Sequence, residues 1–116
     1  MSDQKHNGWT NYETWLARTW LDNDAEIAEC CRELTQSAIE RATNKPRQLD
    51  FSLAENATLE LADMLKEQTE SNFDPYTQGR ACLFTDLLWS ALCEVNWHEI
   101  ADKFVADELE QTTRHE

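Results

Sequence analysis

Asp86, Ser90 and Glu94 stand four residues apart in an otherwise apolar stretch, so a helix through them sets two carboxylates and a hydroxyl on one side. Such a trio has the chemistry to hold a cation, to contact a partner, or to act as an acid and base pair. The outer two are separated by about 12 Å of helix rise at ~1.5 Å per residue, too wide for acid and base to serve one bond. A narrow solvated stripe, or polar contacts to neighbouring helix ends, is the reading this spacing favours. Nucleophilic catalysis also needs a base, and His6 and His115 lie in the polar ends of the chain. His98 falls in the first turn of a helix, where the positive end of the dipole disfavours imidazolium.

Cys82 and Cys93 are eleven apart, with no C-x-x-C or H-x-x-x-H pair to hold a metal, and Gly8 and Gly79 stand too far apart for a phosphate cradle. No catalytic residue, metal site or cofactor is assigned, and the chain is not expected to be an enzyme.

The strongest signal left is acid. Asp and Glu number 23 against 10 Lys and Arg, a formal charge of −13. Glu26, Glu29, Glu33 and Glu40 recur on one predicted helix, Glu60, Asp63, Glu67 and Glu70 on another, and Glu99, Asp102, Asp107 and Glu110 on a third. Neighbours on such a stripe lie about 5–6 Å apart, a spacing of the order of the charges along a nucleic-acid strand. The first two stripes are the candidate partner-binding residues, and a basic protein is the expected partner, a nucleic-acid-binding one included. Direct binding of nucleic acid or of an anionic membrane is disfavoured. Ordinary solvated helix faces are the plainer reading of the same residues.

These side chains need elements to carry them. At 116 residues with two Gly and two Pro, the composition favours one all-α domain over a turn-rich β fold. Thr10 or Asn11 caps a first helix whose Tyr12, Trp15, Leu16, Thr19 and Trp20 form an aromatic stripe predicted to face inward. Asn23 with Glu26 predicts a capping box for the second helix, lined by Ile27, Cys31, Leu34, Ala38 and Ala42. A loop over 44–50 leads to a second box, Ser52 with Glu55, and a third helix with Ala54, Ala57, Leu61 and Leu65 inward. That helix should fail near Ser71–Pro75.

Residues 81–95 are nearly all apolar and predict a central helix packed around most of its circumference. Asn96 with Glu99 starts a last helix carrying Trp97, Ile100, Ala101, Phe104, Val105 and Leu109. The expected architecture is a single compact bundle of about five helices over 9–110 with a tryptophan-rich core, a flexible arm at 1–8 and a tail at 111–116. Four cysteines in such a core predict reduced, mostly buried thiols. With no apolar leader or membrane-length run, the expected place is the cytoplasm.

Gly8-Trp9-Thr10-Asn11-Tyr12-Glu13-Thr14-Trp15 followed by Trp20-Leu21-Asp22-Asn23-Asp24, with Asp86-Leu87-Leu88 and Ala91-Leu92-Cys93-Glu94-Val95-Asn96-Trp97-His98-Glu99-Ile100-Ala101 further on, resembles a family of short "NYETW" proteins of bacteriophages, plasmids, archaea and actinobacteria. The likeness covers both ends of the chain. It implies a domain of unknown function carried on mobile elements; with the acidic charge, that context points to a non-enzymatic interaction protein that binds a basic host or element protein through its carboxylate face, as a nucleic-acid mimic blocking a defence protein would. The alternative, from the aromatic content, is a self-associating structural module, a homodimer included.

Overall fold

The computed structural model describes residues 7–114, with side chains through Gln111. The chain folds as an all-α domain: α1 (Tyr12–Asn23), α2 (Ala25–Asn44), α3 (Leu53–Ser71), the single-turn α4 (Phe73–Thr77), α5 (Leu83–Glu94) and α6 (Trp97–Arg114). No strand occurs among the described residues, and none of their helices is long and apolar enough to cross a membrane. The expected tail begins inside α6, which runs on to Arg114. Residues 1–6 of the expected arm lie outside the described residues.

Helix starts follow local chemistry. Asn11 caps α1, its Oδ1 accepting from the Thr14 amide at 2.9 Å. Ser52 and Glu55 close the expected box on α3, with the Glu55 amide donating to Ser52 Oγ at 3.1 Å and the Ser52 amide to Glu55 Oε1 at 2.8 Å. The second helix is capped one residue later than expected. Asp24, not Asn23, accepts from the amides of Glu26 and Ile27, because Asn23 is still the last residue of α1 and Asp24 alone turns the corner in extended backbone.

The loop before α3 is tied by a residue the periodicity does not single out. Buried Asn56 accepts from the Gln48 amide at 2.9 Å and donates to the carbonyls of Gln48, Phe51 and Ser52, so that one side chain satisfies the turn.

The core lies where α3 packs between α2 and α6. Leu61, Leu65, Ile100 and Val105 fill it, with Cys31, Ala38, Ala42, Ala57 and Ala101 between them. Alanine at these positions lets the three helices approach closely, which leaves little room for indoles. The expectation of a tryptophan-rich core is therefore corrected: Trp97, 8% exposed, is the one buried Trp of five, while Trp20 and Trp89 are exposed.

The stripe on α1 is corrected as well. Its inward side carries Thr14, Ala17, Arg18 and Leu21, and Tyr12 and Trp20 face out. Arg18 accounts for the rotation. Its guanidinium stands over the Phe104 ring at 4.2 Å and the Trp9 ring at 5.6 Å and bonds Asp22 at 2.8 Å, so the stem and charge are both satisfied between α1 and α6.

The largest departure is α5. In place of a packed central helix, Thr85 is its one buried residue, and it packs chiefly against α1 near its C-terminal end. The domain measures 50 × 32 × 30 Å along its principal axes.

Candidate interaction surface

The two sequence motifs interlock, and this joint sets where α5 points. Asn11 uses its Oδ1 to cap α1 and its Nδ2 to donate to the Glu94 carbonyl at 2.8 Å, the last residue of α5. Fully buried Thr14 donates its hydroxyl to Asn11 Oδ1 at 2.6 Å and accepts the Asn96 amide at 2.8 Å. Asn96 then caps α6 by accepting from the Glu99 amide, while Glu99 Oε1 accepts from the Thr10 amide at 3.0 Å. Glu99 thus bonds across to the α1 approach instead of closing a box on Asn96, as expected from the sequence. The middle of this chain, from Asn11 through Thr14 to Asn96 and Glu99, is half-buried and costly to interrupt, since each removed partner strands another, while the outer bonds to the Glu94 carbonyl and from the Thr10 amide are exposed. The Asn11–Trp15 segment is in this way bracing between α1, α5 and α6.

Beyond the joint, α5 stands largely uncovered. Leu83, Phe84, Leu87 and Leu88 are 66, 77, 58 and 37% exposed. At about 100° per residue they fall within roughly 140° of the helix circumference, the width of a stripe that ordinarily faces a core. Among the described residues no helix covers it. Ala91 and Leu92, further along the helix, are half-buried where α1 begins to cover it.

The opposite side of α5 is different. Trp89 packs edge-on to Phe73 of α4 at 5.0 Å, and α4, the turn after it and α5 enclose an open cleft of about 600 Å³. Asp86, Ser90 and Glu94 line this cleft together, with Asp74 and Arg80 across from them. The expected polar face exists. His98 does not line it.

The candidate partner-binding carboxylates divide into two environments. Glu26, Glu29, Glu33 and Glu40 are exposed on α2 and fall within about 60° of each other, forming one acidic edge. Those of α3 surround cations instead. Arg47 reaches Glu60 with Nε at 2.9 Å and Asp63 with Nη1 at 2.7 Å, and both carboxylates hold its guanidinium above the ordinary arginine range. Arg41 and Lys66 share the same hollow of about 330 Å³ with Glu67 and Glu70. Glu60 is buried, a correction to the expectation that this stripe turns wholly to water: its position on α3 faces the 45–52 loop, and Arg47 from that loop neutralises it. Asp63 and Glu67 are exposed and Glu70 is half-buried.

All four thiols are free, and their burial is also corrected. Cys31 is buried, which pushes its thiol up to about 11, with Cys30 and Asp22 adding to the effect. Cys30 is half-buried, and Cys82 and Cys93 are exposed because they belong to the uncovered helix. Cys82 sits at the N-cap of α5, where hydrogen bonding from Thr85, its amide first and then its hydroxyl, and from the Phe84 amide holds the thiol below its usual range. No group of three His, Cys, Asp or Glu residues with metal-holding geometry occurs among the described residues.

Fold and surface together define a small helical domain with a mixed-charge body and an apolar helix left open to solvent. The chain belongs to a family of unknown function (DUF7249), which matches residues 2–113. No curated protein and no solved structure matches it.

Proposed function

We propose that this protein is a non-enzymatic interaction module that docks another protein chain through the stripe Leu83, Phe84, Leu87 and Leu88. The observation that carries the reading is the exposure of these four side chains on the most apolar helix of the fold. Scaled by their exposures, they present roughly 450 Å² of mainly apolar surface, taking ~150–250 Å² for a large side chain. That is the size of the largest apolar patch on a typical single chain, a patch that is often functional. The Asn11–Thr14–Asn96 joint supports it, since a docking helix held by hydrogen bonds at one end keeps its direction without being covered. A photo-crosslinking residue in place of Phe84, in cells, tests the reading. Discrete adducts that Leu87→Glu abolishes are expected; none at all, or adducts indifferent to Leu87, contradict it.

A second reading rests on the acidic edge of α2. Four glutamates aligned within one narrow sector suit a basic partner, such as a nucleic-acid-binding host or defence protein met by a phage or plasmid product in the cytoplasm. Binding through that edge weakens steeply as salt rises. Complexes that survive high salt and the loss of Glu29 and Glu33 count against it.

A further inference from the structure

The docking reading leaves open what covers the stripe, and we infer that the occupant is a second copy of this chain, with α5 packed antiparallel against α5. This inference rests on the docking role proposed above. Residues 83–88 place Leu83 opposite Leu88 and Phe84 opposite Leu87 when one helix is turned end to end against another, so the stripe is complementary to itself under a two-fold axis. Asp86, the one charged residue in that span, lies on the cleft side of the helix, about 130° from the middle of the stripe, so no carboxylate is driven against its mate.

Area agrees with a pair. Two stripes of roughly 450 Å² give about 900 Å² of mainly apolar surface, more than half of the ~1,200–2,000 Å² of a stable contact, the rest of which would come from the flanks of the same two helices. Residues 1–6 and 112–116 of the sequence offer such a stripe one large apolar side chain between them, Met1. A basic partner would be selected by carboxylates, and the stripe itself has none.

Two copies at a formal −13 each repel, so the pair carries an electrostatic signature opposite to that of a basic partner. Sedimentation of the intact chain over about 1–200 µM, at roughly 0.05 and 0.5 M salt, reads this directly. A monomer–dimer equilibrium that tightens with salt is expected. Leu87→Glu and Phe84→Glu should each weaken it at least tenfold with the helical circular dichroism unchanged, and Leu49→Glu, on an exposed loop residue away from the stripe, should leave it unchanged. A monomer throughout, or a dimer indifferent to both stripe variants, overturns the inference. Hydroxyl-radical footprinting of the monomer then separates the two levels. Reactive Phe84 and Leu87 sink the second copy but keep the docking role; protected ones sink both.

Discussion

Helices α5 and α6 are joined by Val95 and Asn96 alone, yet the fold treats them in opposite ways. Helix α6 carries seven charged residues over its 18 positions, and it sinks Trp97, Ile100, Ala101 and Val105 into the core it forms with α2 and α3. Helix α5 is far more apolar, with two charges in 12 positions, and leaves its greasiest side in water. Apolar content measures how much a segment gains from being covered, whereas cover depends on which neighbours reach it. Alternation of apolar and polar positions on α2, α3 and α6 lets the three close on one another, and once they have, no face remains for α5.

The contrast makes stability separable from surface. Leu61→Ala, at a fully buried core position, should lower unfolding free energy by about 2–5 kcal/mol in a urea titration, while Leu87→Ala at a concentration where the chain is monomeric should change it by less than ~0.5 kcal/mol. Equal losses would erase the distinction. The joint that aims α5 comes next. Thr14→Val removes the acceptor of the Asn96 amide and a donor to Asn11, and should cost about 1–3 kcal/mol while speeding amide exchange at Val95–Glu99. Unchanged exchange there would mean that the motif does not brace the helices.

Arg47→Met leaves Glu60 partly buried without its cation. Arg47 is itself well exposed, so the expected loss is about 1–2 kcal/mol, below the ~3–5 kcal/mol of a fully buried pair, and Arg47→Lys should recover part of it. The smallest effect concerns the thiols. Cys82 should label fastest and Cys31 slowest at pH 8, and an order with Cys31 first would contradict their placement. Because the folded state holds the Cys31 thiol up to about 11 from 9.0, its contribution to stability is complete below pH 9 and is lost as pH rises toward 11; Cys31→Ala should flatten that part of the stability–pH curve.

Periodicity located the body well. Cys31, Ala38, Ala42, Ala57, Leu61, Leu65, Ile100, Ala101 and Val105 are all predicted inward and all buried, since helices that close a core on three sides alternate cleanly. It failed at Ile27, expected inward but exposed in the first turn of α2, and it failed on α1 and α5, for different reasons. On α1 an arginine and a threonine lie inward because rings and hydrogen-bond partners await them, a fact held by Trp9, Phe104 and Asn96 and not by α1 itself. On α5 the apolar content was visible, but such content reads the same whether or not this chain's own helices reach round to cover it. The acid on α3 was visible too, while its neutralisation depended on Arg47 folding back across 13 residues.

Whether α5 lies outside the core is tested most directly by comparing denaturant curves of the wild type and Leu83→Gln/Phe84→Gln/Leu87→Gln at a concentration low enough to hold both as monomers. Glutamine keeps helix propensity and removes the grease. The midpoint and slope should agree between the two within about 0.5 kcal/mol of derived stability. A variant that unfolds, or that loses several kcal/mol, would show that α5 belongs to the core after all and that its stripe is not a docking surface.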